Sequence, residues 1–136
     1  MKDKTGIKEY WPNGRLEWEI PFNSHGQRHG VAKNYYPDGT LKIERPYESG
    51  DAHGIEKMYW PDGTLASELH FVKGIKQGPY KTYHRNGNLE IETANVNNNR
   101  HGAFKRYSEK GDMQNEETFE RGLKKEKEIK VEKEKR

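Results

Sequence analysis

The sequence predicts an all-β protein, an elongated single-layer antiparallel β-meander of about five β-hairpin repeats, and three observations carry that prediction. First, one phrase recurs: "YWPNGRL" at 10–16, "YYPDGTL" at 35–41, "YWPDGTL" at 59–65 and "YHRNGNL" at 83–89. Second, the glycines of these phrases and of a fifth, weaker copy, Gly14, Gly39, Gly63, Gly87 and Gly111, stand 25, 24, 24 and 24 residues apart. Self-similarity at a fixed period of about 20–50 residues is the signature of a repeat architecture. Third, residues on either side of each glycine alternate apolar and polar, the period of a strand, and no helical period occurs before the C-terminus.

Each unit fills the same columns. Tyr10, Tyr35, Tyr59, Tyr83 and Tyr107 precede the central glycine by four residues, and Leu16, Leu41, Leu65, Leu89 and Met113 follow it by two. Lys recurs six before it at 8, 33, 57, 81 and 105, and Glu five after it at 19, 44, 68, 92 and 116. A second glycine, in "HG" or "QG", closes each period at Gly30, Gly54, Gly78 and Gly102.

Pro-Asp-Gly between two alternating runs is a hairpin signal, because Pro fixes φ at the first corner and Gly accepts φ > 0 at the third. A two-residue turn on Asp-Gly would set Pro37 in the ladder without an N–H to donate. The sequence therefore favours a three-residue Pro-Asp-Gly loop, a type I turn closed by a glycine bulge. In that register Tyr35 faces Leu41, Lys33 faces Ile43 and Tyr36 faces Thr40. One apolar side then holds Tyr35, Leu41, Ile43 and Tyr47, and likewise Tyr10, Leu16, Trp18 and Phe22. The opposite side holds Trp11, Tyr36, Trp60 and His84, with the recurrent Glu residues on the neighbouring strand. The "HG" segments are expected to turn each unit into the next, which gives roughly ten strands.

These residues carry a resemblance. "HG", an aromatic pair, "P-D/N-G-x-L", then Glu and an aromatic resembles the MORN repeat variant found in the bacterial YwqK-type antitoxin family, over about Thr5 to Gly122. The fourth unit departs from the pattern with Arg85 for Pro and Asn95 for an aromatic. The fifth departs with Ser108, Glu109 and Lys110, as a terminal capping repeat would. The chain accordingly divides into a repeat array over 1–122 and a charged tail over 123–136. That tail, "LKKEKEIKVEKEKR", reads as a solvated helix or frayed end with Glu-Lys pairs such as Glu126 with Lys130.

Composition fits a thin, repetitive core. Only 29% of the 136 residues are hydrophobic and 35% are charged, which a solenoid tolerates because each unit packs only on its neighbours. With no cysteine there is no disulfide framework and no thiol chemistry. No apolar run approaches the length of a membrane span, and the N-terminus lacks a signal peptide's apolar stretch, so a cytoplasmic location is expected.

Catalytic and metal chemistry find little purchase. His29, His53 and His101 sit at matching turn positions in separate units, about 10 Å apart at twice the strand spacing, too far to share an ion. The Glu column lies on an open sheet without the closed pocket that general acid–base work needs. The sequence therefore predicts no enzyme, no cofactor and no metal. Net charge is +3 and the tail alone supplies it, leaving the array near neutral, so nucleic acid is not expected as a partner.

What remains is a binding module. The expected partner-binding residues are the aromatic column Trp11, Tyr36, Trp60 and His84 with Glu44 and Glu68 beside it, since rigid aromatics most often anchor protein interfaces. The same rings could equally serve to cover the sheet. Resemblance to the antitoxin family implies a protein partner, a cognate toxin. The alternative, implied by MORN repeats of larger proteins, is a scaffold on an anionic membrane surface.

Overall fold

A computed structural model describes residues 2–126. Among these described residues fourteen strands form one antiparallel sheet: β1 (Lys2–Asp3), β2 (Gly6–Tyr10), β3 (Leu16–Pro21), β4 (Gly30–Tyr35), β5 (Leu41–Glu48), β6 (Asp51–Ala52), β7 (Gly54–Tyr59), β8 (Leu65–Val72), β9 (Ile75–Tyr83), β10 (Leu89–Val96), β11 (Asn99–Arg100), β12 (Gly102–Tyr107), β13 (Met113–Glu120) and β14 (Leu123–Lys125). The ten strands of five or more residues follow one another in chain order as a meander. Leu123–Lys125, placed in the tail by the sequence reading, pairs with β13. The expected Glu126–Lys130 pair and the rest of the tail lie outside the described residues.

The five long hairpins close as the turn chemistry predicts. Tyr36 N–H donates to the Thr40 carbonyl and Gly39 N–H to the Tyr36 carbonyl, a type I turn with Gly39 at φ +94°. Asp38 Oδ1 takes the Thr40 N–H at 2.8 Å, and this bond holds its carboxyl below the usual carboxylate range. Tyr35 faces Leu41 as expected.

One step further in, a second bulge changes the register. Ile43 faces Asn34, and Lys33 faces Glu44 rather than Ile43. All five hairpins carry this irregularity at the same place. Because neighbouring residues on a strand point to opposite faces, Ile43 joins Asn34 while Leu41 stays with Tyr35. The expected apolar side of Tyr35, Leu41, Ile43 and Tyr47 is thus divided between the two faces.

The "HG" segments are not the inter-unit turns. Those turns are Ser49-Gly50, Lys73-Gly74, Asn97-Asn98 and Arg121-Gly122, each with two positive φ angles, the mirror-image type I′ geometry that matches strand twist. The first connection is one residue longer, with Asn23 N–H bonded to the Gln27 carbonyl across three intervening residues, which accounts for the single spacing of 25. His-Gly instead forms a bulge after the turn: His53 N–H donates to the Pro46 carbonyl at 3.0 Å. His53 Nδ1 then accepts the Lys73 N–H of the next turn at 3.1 Å, and His29 does the same for Ser49.

Burial divides cleanly by face. Among the described residues, the buried side chains are Ala32, Asn34, Glu56, Ser67, Thr93 and Phe104, and the pairing register puts all six on one face. We term this the covered face. No large side chain among them is fully buried, so the core is a layer of half-covered rings and stems rather than a closed interior.

Candidate functional site

The expected site residues do not share a surface. Trp11, Tyr36, Trp60 and His84 lie on the covered face, next in chain to the Tyr column of the other face. Their polar atoms reach across one hairpin to the next. Trp11 Nε1 donates to the Tyr35 carbonyl at 3.1 Å, Tyr36 Oη to the Tyr59 carbonyl at 2.7 Å, and His84 Nε2 stands 2.8 Å from the Tyr107 carbonyl. Trp60 Nε1 is buried without such a bond, and the Arg85 guanidinium lies over its ring at 5.0 Å. The four rings therefore stitch successive units together.

Glu44 and Glu68 lie on the opposite, open face, not beside the aromatic column as expected. Their place follows from the bulge register, which sets every Lys of the Lys column directly opposite a Glu, on both sides for Lys33, Lys57, Lys81 and Lys105 and on one side for Lys8. Across the sheet the order is Lys8, Glu19, Lys33, Glu44, Lys57, Glu68, Lys81, Glu92, Lys105, Glu116, each paired with the next. Adjacent rungs are about 4.8 Å apart, the strand spacing. Lys81 Nζ is 4.0 Å from Glu92 Oε2 and Lys8 Nζ 3.8 Å from Glu19 Oε2. Such exposed pairs contribute about 0–1 kcal/mol each, so the ladder fixes register and neutralises the face more than it stabilises it.

Tyrosine hydroxyls anchor two of the central carboxylates. Tyr59 Oη donates to Glu44 Oε1 at 2.5 Å and Tyr83 Oη to Glu68 Oε1 at 2.7 Å. Partial burial, reinforced by the carboxylate acceptor, pushes both phenols up to about 12.

Two apolar bands flank the ladder. Towards the Pro-Asp-Gly turns runs the Tyr–Leu column, and towards the I′ turns lie Val31, Ile55, Val72, Ile75 and Val96. The eight exposed large hydrophobics among the described residues are these five with Tyr10, Met113 and Leu123, and the register places all eight on the open face. Sequence reasoning missed this band because its residues were assigned no face.

Among the described residues no group of three His, Cys, Asp or Glu could hold a metal ion, and no helix is long and apolar enough to cross a membrane. Each matching His is held within its own unit boundary by the backbone bond described above. The open face offers a long strip of apolar and neutralised charged surface.

No curated protein matches the sequence. A family model does match, that of the MORN repeat variant, at residues 28–49, 52–73, 76–98 and 100–121. Each match frames one long hairpin with its His-Gly or Gln-Gly bulge, and the first hairpin, Gly6–Pro21, precedes them while sharing their Tyr, Gly, Leu, Lys and Glu columns. With four matches over well more than half of its length, the chain belongs to the MORN repeat variant family.

Proposed function

We propose that this protein is a non-catalytic binding module that takes up a partner protein on its open face. The observation that supports this reading is the gathering of all eight exposed large hydrophobics among the described residues on one side of the sheet. Contiguous exposed apolar surface rimmed by polar groups marks interaction sites. From the resemblance to the YwqK-type family, the partner is a cognate toxin protein that the chain neutralises. The neutral Lys–Glu ladder favours a protein over an anionic membrane, because it offers no net positive charge to lipid headgroups.

Titration of the purified product of a neighbouring toxin gene against the wild type, Ile55→Glu and Trp60→Ala tests the site. Ile55→Glu is expected to abolish binding with little change in melting temperature, and Trp60→Ala to lower the melting temperature while a folded sample still binds. Binding lost in folded Trp60→Ala but kept in Ile55→Glu would move the site to the covered face. Co-sedimentation with anionic vesicles and no toxin binding would replace the reading with the membrane scaffold.

A further inference from the structure

The charge ladder has a symmetry that names an occupant. It has ten rungs, alternates strictly, and begins with Lys8 and ends with Glu116. A ladder of this kind laid face to face on a copy of itself and turned end for end sets every Lys over a Glu. A two-fold axis parallel to the strands performs that operation. An axis along the ladder would instead lay Lys on Lys and Glu on Glu, so the charge pattern selects one of the two arrangements.

The flanking bands agree with the same axis. It keeps position along the strands, so the Tyr–Leu column of one copy meets the Tyr–Leu column of the other, and the Val–Ile band meets its own counterpart. Twisted sheets packed face to face cross at about 30°. Register is therefore tightest at the centre, where Lys57 lies over Glu68 of the second copy and Glu44 over Lys81. A two-fold contact uses the same patch on both partners and is closed, so association stops at two.

We propose that a second copy of this chain docks on the open face as an antiparallel, face-to-face dimer held in register by the Lys–Glu ladder. This rests on the reading that the open face is an interaction surface, and it adds that the toxin and the second copy compete for it.

Light scattering and sedimentation equilibrium of the full chain across a wide concentration range test the proposal. The expected result is a monomer–dimer equilibrium that weakens with added salt. Lys57→Glu creates two Glu–Glu contacts in the dimer, and Glu68→Lys creates two Lys–Lys contacts; each variant alone should dimerise at least about tenfold more weakly. An equimolar mixture should recover dimerisation, because the mixed pair restores Lys over Glu at both central contacts. A wild type that stays monomeric at every concentration, singles that dimerise normally, or folded singles whose mixture stays monomeric would each overturn it. Should Glu68→Lys fail to fold for want of its Tyr83 bond, Lys33→Glu with Glu92→Lys repeats the same test further along the ladder. A monomer that still loses toxin through Ile55→Glu sinks only the dimer, whereas a ladder-dependent dimer whose toxin binding ignores Ile55→Glu sinks only the proposed toxin site.

Discussion

The hydroxyl of Tyr83 donates to Glu68 Oε1 at 2.7 Å, joining the Tyr column of the fourth unit to the charge ladder of the third. Tyr59 and Glu44 make the same link one unit earlier. Both phenols are pushed up to about 12, whereas an unfolded chain has tyrosine near 10. A pKa raised by folding means that the stabilisation is complete below about 10 and is lost as pH rises through about 12. Urea midpoints should fall across that window, and the double variant Tyr59→Phe/Tyr83→Phe should flatten the fall and remove the late-ionising phenolate absorbance. Equal pH dependence in variant and wild type would show that these bonds carry no linkage.

Two glycines at positive φ separate backbone strain from steric contact. A Cβ on Gly63, at φ +91°, would meet nothing within 4 Å, whereas one on Gly54, at φ +114°, would stand 2.9 Å from Pro46 Cγ. Gly63→Val should lose about 1–2 kcal/mol from left-handed strain. Gly54→Ala should lose more than Gly63→Ala, and adding Pro46→Ala should return part of the difference as coupling between neighbours. Chemical denaturation of the wild type, Gly54→Ala, Pro46→Ala and their double variant gives the cycle; a Gly54→Ala no worse than Gly63→Ala would mean that Pro46 moves aside freely.

The period, the strand count and the Pro-Asp-Gly turn type were legible because each rests on a residue that permits only one geometry. Gly39 at φ +94° after Pro37-Asp38 is such a residue. The second bulge was not legible. Its column holds Glu17, Lys42, Ala66, Glu90 and Gln114, residues with no common backbone preference. Missing it displaced Ile43 and Glu44 to the wrong faces and put Glu44 and Glu68 with the aromatic column. A signal was present, for the Lys and Glu columns can face each other in every unit only if one residue is skipped between Leu41 and Glu44. The I′ turns were hidden in a different way, since Ser49, Lys73 and Arg121 take positive φ although only the second residue of each turn is glycine. The sheet enforces that conformation; the residues do not announce it.

At the unit boundary, His53 Nδ1 accepts the Lys73 N–H at 3.1 Å, and one unit later Gln77 Oε1 accepts the Asn97 N–H at 2.9 Å. Two different side chains thus do the same work, satisfying the first amide of the following turn. His53→Gln should therefore leave stability nearly unchanged, while His53→Ala should lose about 1 kcal/mol for the orphaned amide. Hydrogen exchange at the Lys73 amide reads the bond directly, and should quicken in His53→Ala alone. Equal protection in both variants would mean that the turn is held by the Gly74 N–H bond to the Ala52 carbonyl instead.

The covered face contains one ion pair whose necessity can be tested against the repeat itself. Glu56 is 5% exposed, and its Oε2 accepts from Arg45 Nε on the adjacent strand, while Arg45 Nη1 donates to Tyr47 Oη at 3.3 Å. In other units the column of Glu56 holds Ile7, Ala32, Tyr80 and Phe104, and that of Arg45 holds Ile20, Leu69, Thr93 and Glu117, so the fold itself does not require an ion pair at these places. Removing one partner strands a buried charge and commonly costs about 3–5 kcal/mol, and replacing both with apolar groups is often neutral or stabilising. Arg45→Met should thus fall towards the lower end of that range, because the guanidinium is one-third exposed. Arg45→Met/Glu56→Leu should return to near wild-type stability. Measured by urea denaturation, a double variant as unstable as Arg45→Met would show that the pair is needed for packing at the β5–β7 junction, where a bare aliphatic pair cannot replace its bond to Tyr47.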